Sequence, residues 1–243
     1  MGSLDGRTAL VTGGGRGLGA AIAAELAGRG AHVGVLSRTA DDVRRVAASI
    51  GGTALVADVA DPERLASVLQ RFGEADVVVA NAGVVWPLGA FAGIDIAAWE
   101  DAVRINLFGA ARVVRAFVPG MLARGYGRVV TISSGAAGPP GMPSANAYST
   151  SKAALDMFTL HLARELEGSG VTANAVRPGV VDTDMQTFMR GHPEEQVGAE
   201  FFQRFHGLHD RGELIAPATA AAFAVDVVCS ERNGEVLDIR TAR

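Results

Sequence analysis

Short β-rich apolar runs alternate along this chain with longer stretches of helical periodicity, and that alternation leaves few folds open. Thr8–Thr12 (TALVT) reads as a buried strand, and Leu18–Arg29 as an Ala-rich helix with Ile22 and Leu26 on one face. Further strands are expected at His32–Leu36, Thr53–Ala57, Asp76–Ala80, Arg128–Ile132, Val171–Val176 and Val236–Ile239. Helices are expected between them at Ala40–Ser49, Pro62–Phe72, 97–124 and Ala147–Glu167. Such an alternation implies a parallel sheet with helices on both faces. Burial on both faces also explains runs such as Val77-Val78-Val79, which lack an in/out alternation. The expected fold class is α/β: a single-domain, doubly wound Rossmann fold over 1–243, its parallel sheet having about seven strands. No internal repeat, low-complexity tract or Ser/Pro linker divides the chain, and the Gly/Pro-rich 135–143 reads as a loop. Segment 184–212 is rich in Phe and Met and lacks strand character. It is expected to form one or two short helices over the site, a substrate lid.

Composition narrows the function. The 243 residues are 49% hydrophobic, enough for one substantial core. A net charge of −4 predicts no strongly basic face, hence no nucleic acid and no anionic membrane as partner. The single Cys229 excludes an intramolecular disulfide and a multi-Cys metal site and suits a reducing cytosol. The five histidines show no HxxxH or HxH spacing; His206 and His209 could share a helical face, but no metal site is expected from them alone. Met1–Gly6 lacks the apolar core of a signal peptide, and Gly2 lacks a Ser or Thr at the myristoylation position, which is Gly6. The best candidate for a long apolar run, 75–94, is broken by Asp76, Asn81 and Pro87. A soluble cytoplasmic protein is the expectation.

Directly after the first strand comes Thr12-Gly-Gly-Gly-Arg-Gly-Leu-Gly19, with Gly13, Gly17 and Gly19 spaced G-x-x-x-G-x-G before a helix. Glycines there allow a tight turn and close backbone approach, and a helix N-terminus attracts a pyrophosphate. No Gly-Lys-Ser/Thr follows, so the loop is not a Walker loop. The alternative is a turn that binds nothing. At the end of the second strand, where NAD sites usually place a carboxylate for the ribose 2′-hydroxyl, the chain reads Leu36-Ser37-Arg38. Arg38, with Arg16 from the loop, would instead hold a 2′-phosphate by charge-assisted bonds. The cofactor is therefore read as NADP(H), with NAD(H) the alternative. On the bland reading Arg38 is solvated and partnered by Asp41 and Asp42.

Of 22 Lys and Arg residues only Lys152 is lysine, and of two tyrosines one, Tyr148, lies four residues before it. Arg is locked in its planar, charged form, whereas Lys is a compact ammonium suited to close contacts. Codon bias accounts for the arginines and marks Lys152 as a position where Arg does not serve.

The glycine loop, Asn81-Ala-Gly83 and Tyr148-Ser-Thr-Ser-Lys152, in this order, resemble the motifs of the short-chain dehydrogenase/reductase family over nearly the whole chain, from Thr8 to about Ile239. The resemblance implies that Tyr148 is the general acid/base, with Lys152 lowering its pKa and binding the nicotinamide ribose. It implies that Ser134 holds the substrate oxygen, Ser133 being the competitor, and that Asn106 supports a proton-relay water behind Lys152. The stretch from Ser134 to Tyr148 is one residue longer than usual in the family. Gly13, Arg16, Gly17, Leu18 and Gly19 would cradle the cofactor phosphates, with Ser37 and Arg38 at the adenosine ribose. Asp58 and Val59 would flank the adenine, and Asn81, Ala82 and Gly83 the ribose, although Ala80 replaces the family's first Asn. Pro178, Gly179, Val181 and Thr183 resemble its carboxamide-binding PGxVxT segment. The tail lacks the family's Asp-Gly-Gly. A homodimer or homotetramer through 97–124 and 147–167 is expected. Val84, Trp86, Met142, Met185, Phe188 and Met189 would line the substrate space and favour an apolar or aryl ketone. The similarity of Arg177–Gln186 to benzil-type and sepiapterin-type carbonyl reductases points to a diketone. The alternatives are an NAD-dependent alcohol dehydrogenase of the same fold and a non-catalytic NADP-binding regulator.

Overall fold

The computed structural model describes residues 3–241, so Gly2, considered above for myristoylation, lies outside the described residues. Seven parallel strands form one sheet in the order β3-β2-β1-β4-β5-β6-β7. They are β1 (Thr8–Thr12), β2 (His32–Ser37), β3 (Thr53–Val56), β4 (Val77–Ala80), β5 (Gly127–Ile132), β6 (Val171–Arg177) and β7 (Val236–Asp238). β1 pairs with β2 on one side and β4 on the other, so the connections diverge there and open a crevice at the strands' carboxyl ends. The doubly wound fold is the one the alternation predicts.

Adjacent strand residues feed two separate cores. Ala9 and Val11 face a layer with Ile22, Ala23 and Leu26 of α1 (Gly17–Gly28) and Val43 and Val46 of α2 (Ala40–Ile50). Leu10 faces the other layer, with Leu65 and Leu69 of α3 (Pro62–Phe72). Burial of both faces removes the alternation from the strand sequences.

The helix expected over 97–124 runs as α4 (Ile96–Val103), a π-helical turn (Arg104–Gly109) and α5 (Ala110–Arg124). An 18-residue window within it reaches a mean hydropathy of 1.3, so by length and composition this helix, rather than 75–94, is long and apolar enough to cross a membrane. Here Val113, Val114, Phe117 and Met121 of α5 pack into the second core. α6 (Asn146–Glu165) lies beside it.

Two features differ from the sequence expectation. Segment 184–212 forms three helices, α7 (Asp184–Arg190), α8 (Glu194–Val197) and α9 (Ala199–Asp210). They gather around Met189, Val197, Phe201 and Phe205, a third cluster closed by Val85, Leu88 and Ala145. α10 (Pro217–Val228) has no counterpart in the sequence pattern. Its PATAAAFAVDVV run shows little amphipathic contrast because its outer face (Ala218, Thr219, Ala222) is small and carries one charge, Asp226, while Ala221, Ala224 and Val225 pack in the first core beside α1.

Candidate active site

A cavity of about 650 Å³ runs along the carboxyl ends of the strands, from the glycine loop to the underside of α7 and α9. The loop is built by close approach. Gly13 has φ +65°, and a Cβ on it would lie 2.9 Å from both the Ala82 Cα and the Asn81 Nδ2. A Cβ on Gly19 would collide with the Gly13 carbonyl oxygen. Asn81 Nδ2 donates to the carbonyls of Thr12 (2.9 Å) and Gly13 (3.4 Å). The Thr12 hydroxyl accepts from the backbone N–H of Asn81 (3.1 Å) and Ala82 (3.0 Å). Thr12 and Asn81 thus tie the loop to the end of β4, which makes Asn81 a brace as well as a wall residue.

Gly13, Arg16, Gly17, Leu18 and Gly19 all line the cavity, as do Ser37 and Arg38 at the end of β2. Asp58, Val59, Asn81, Ala82 and Gly83 line its middle, and Pro178, Gly179, Val181 and Thr183 its far wall. Arg38 faces Asp58 at 4.0 Å rather than Asp41 or Asp42, which pair with Arg44 and Arg45. Arg16 reaches Asp184 at the start of α7, 3.1 Å away. These are exposed pairs worth little by themselves, so both guanidiniums remain available to an anion.

At the other end, Tyr148 and Lys152 stand one turn apart on α6 and both line the cavity, as does Ser134 after β5. Ser134 also accepts a hydrogen bond from the Ala136 N–H (3.2 Å), so it caps the short 3₁₀ turn Gly135–Ala137 as well. The competing Ser133 is 2% exposed, and its Oγ has no protein hydrogen-bond partner. Lys152 is 3% exposed and donates to the Ile132 carbonyl at 2.7 Å. Burial pushes its ammonium from 10.5 down to about 8, against the attraction of Asp156.

The Tyr148 phenol departs from expectation. Burial raises its pKa, and the Ser134 side chain, acting as a hydrogen-bond partner, lowers it in part. Lys152 Nζ lies 5.8 Å from the ring centroid and gives one of its three N–H donors to the Ile132 carbonyl.

Asn106 lies behind the wall, fully buried in the π turn. Its Oδ1 accepts from the Val84 N–H (2.7 Å), while its Nδ2 donates to the Val84 carbonyl (2.9 Å) and to Ser151 Oγ (2.9 Å). A Cβ on Gly83 would sit 3.2 Å from Asn106 Oδ1 and 3.3 Å from Lys152 Nζ, so the three positions share one small space. The buried amide is satisfied as a mid-helix Asn must be, by the segment that carries Val84 into the cavity.

The family model for the short chain dehydrogenase matches residues 7–194. The chain belongs to the short-chain dehydrogenase/reductase family. It is 35% identical to the 3-oxoacyl-[acyl-carrier-protein] reductase FabG of Salmonella typhimurium, over 98% of this chain and 97% of that one. It is 38% identical to the cis-4-hydroxycyclohexanecarboxylate dehydrogenase of Sinomonas cyclohexanicum, over 94% and 96%. Among solved structures it is similar to a single-residue variant of the actinorhodin polyketide ketoreductase with NADPH, with a TM-score of 0.87, 31% identity and coverage of 98% and 97%. Membership makes the chain an oxidoreductase of the hydride-transferring kind.

Val84, Trp86, Met142, Met185, Phe188 and Met189 line the remaining wall of this short-chain dehydrogenase/reductase. Met189 is 3% exposed and belongs to the third cluster, whereas Phe188 is 42% exposed at the mouth. Sequence reasoning passed over Arg204 of α9 and Arg240 after β7, which also line the cavity. Neither belongs to a motif. Arg240 is engaged by Asp238, while Arg204 has no carboxylate partner among the described residues. Ser151 and Thr12 were missed as braces, although both lie inside the quoted motifs. No metal-binding cluster occurs among the described residues.

Proposed function

We propose that this chain interconverts a ketone and a secondary alcohol with NADP(H). The observation that carries the reading is one continuous cavity with Tyr148, Ser134 and Lys152 at one end, the glycine loop along it and Ser37 and Arg38 at the other. The glycine loop fits a dinucleotide, since a side chain at Gly13 or Gly19 would strike the loop's own support. With no carboxylate at the end of β2 and the Arg38 guanidinium there, the adenosine end favours a 2′-phosphate over a bare ribose. The NADPH-bound ketoreductase among the relatives agrees.

The bound cofactor supplies or accepts the hydride. Tyr148 donates its phenolic proton to the carbonyl oxygen in reduction and takes one back in oxidation. Ser134 donates a hydrogen bond to that oxygen and fixes it. Lys152 binds the ribose, and its positive charge stabilises the Tyr148 phenolate as it forms. Asn106 braces the π turn behind Lys152, and Lys152 with Asn106 and a water would restore the proton. Pro178, Gly179, Val181 and Thr183 orient the carboxamide, and orientation is a large part of what the protein adds. Segment 184–212 serves as the lid of the 1–243 domain. Exposed Phe108, Leu122 and Met157 on the π turn, α5 and α6 support assembly as a homodimer or homotetramer, and the lone Cys229 suits the cytoplasm.

The substrate reading is an apolar or aryl ketone or diketone, supported by Trp86, Met142, Met185 and Phe188. A second reading is favoured by one observation. Arg204 brings a guanidinium without a carboxylate partner among the described residues to a wall rich in Met and Phe, which suits a ketone that also carries a carboxylate; one relative is named for a hydroxycyclohexanecarboxylate. An NADPH-oxidation screen pairing each keto acid with its methyl ester separates the two. Tyr148→Phe is expected to remove at least about 99% of turnover while NADPH still binds, in keeping with the size of general acid contributions. Normal turnover by that variant would refute the scheme.

A further inference from the structure

One ion pair, a buried carboxylate with a partly exposed guanidinium, lies beside the active centre and has no part in the mechanism above. Asp156 follows Lys152 by one turn on α6, so the two side chains share a face. Asp156 is 7% exposed, and its Oδ2 accepts from Arg177 Nη2, at the end of β6, at 2.6 Å. Its Oδ1 and the Arg177 Nε are buried without a protein partner. Burying an ion pair this incompletely satisfied is costly, and an apolar pair of similar shape is often no less stable. Stability therefore gives little reason for these residues.

Their position gives a better one. Among the described residues, Asp156 is the charged group that acts on Lys152, and the lysine's other neighbours are uncharged. Its own helix offers the neutral Tyr148, β5 the Ile132 carbonyl, and the π turn the neutral Asn106. Asp156 is the anion that acts on it, and Arg177 stands behind Asp156. Arg177 in turn acts on Asp238 of β7, which is held by Arg240. We propose that Asp156, held in place by Arg177, is a positioning residue that keeps Lys152 a charged ammonium within the buried wall, with Arg177 setting how much of the carboxylate's field reaches it. Burial alone drives this ammonium toward neutrality, and Asp156 is the opposing influence.

The inference rests on the reading of Lys152 as the catalytic cation, and one property of the chain lets the two be tested separately. Lys152 is the only lysine, so protein grown on 13Cε-lysine shows a single labelled side chain. Its carbon shift, followed against pH without cofactor, reports the Lys152 titration directly. Asp156→Asn is expected to lower the midpoint by about one pH unit, as for a charge one helical turn away in a buried setting, and Arg177→Gln, one residue further off, to raise it by a smaller amount. The double variant should fall between them, and Asp156→Glu should return the midpoint close to wild type. The pH profile of kcat should shift in the same order. A purely structural pair would move both single variants the same way or neither. Should Arg177→Gln fail to fold, an unchanged midpoint in Asp156→Asn still overturns the proposal. Lys152→Met serves as the control. If it retains turnover, the catalytic reading of Lys152 fails; if it is inactive while the midpoints do not separate, only the role of Asp156 fails.

Discussion

Replacing Lys152 by Met should make the cofactor-free protein less sensitive to pH, and the structure sets the size of the effect. The ammonium is held near 8 in the folded protein against an ordinary value of 10.5. A charge displaced that far costs the fold about 3 kcal/mol at neutral pH. The folded value lies below the unfolded one, so between about 8 and 10.5 the unfolded chain binds more protons than the native state. Native stability therefore rises with pH through this window. Linkage over pH 7 to 9.5 gives a gain of about 2 kcal/mol for the wild type that Lys152→Met, having no group to titrate there, does not show. The raised phenol of Tyr148 acts in the opposite sense only above its ordinary value of 10, outside the range. At pH 7 the variant also loses the bond to the Ile132 carbonyl, which offsets about 1–3 kcal/mol of the relief. It is therefore expected to be as stable as the wild type or modestly more so, and inactive. Urea unfolding of both proteins at half-unit steps of pH, without cofactor, measures the difference. A stability gap that stays constant from pH 7 to 9.5 would show that Lys152 is not desolvated and would refute the reasoning.

Two further outcomes test the cofactor end. Gly19→Ala places a methyl against the Gly13 carbonyl and 2.5 Å from Asn81 Nδ2, so the loop must shift. NADPH affinity should fall at least about tenfold by fluorescence titration, a larger effect than the change in melting temperature accounts for. Ser37→Asp puts a carboxylate where the structure has only Ser37 and Arg38, and should reverse the preference toward NADH by weakening NADPH about a hundredfold. An unchanged ratio of the two dissociation constants would mean that the 2′-phosphate does not bind there.

Much of the site was legible because its signals are local. The Tyr148–Lys152 spacing places both side chains on one helical face whatever surrounds them. The glycine spacing is tied to a turn between one strand and one helix. α10 was illegible for the opposite reason: an outer face of Ala218, Thr219 and Ala222 with a single charge, Asp226, gives little contrast against an inner face of Ala and Val. The Phe- and Met-rich run 184–212 announced apolar burial but not its division into α7, α8 and α9, which depends on how Met189, Phe201 and Phe205 meet Val85 and Leu88 across the fold.

The alternation of strand and helix determined by itself that the sheet is parallel and covered on both faces, and the motifs determined which end of it carries the chemistry. The protonation balance was decided only in three dimensions. The motif places Lys152 beside Tyr148, but only the folded chain shows that Lys152 also bonds the Ile132 carbonyl, that Ser134 acts on the phenol, and that Asp156 of the same helix joins Arg177 of β6. Desolvation and electric fields depend on groups brought together from distant parts of the chain, and spacing along a single helix does not encode them.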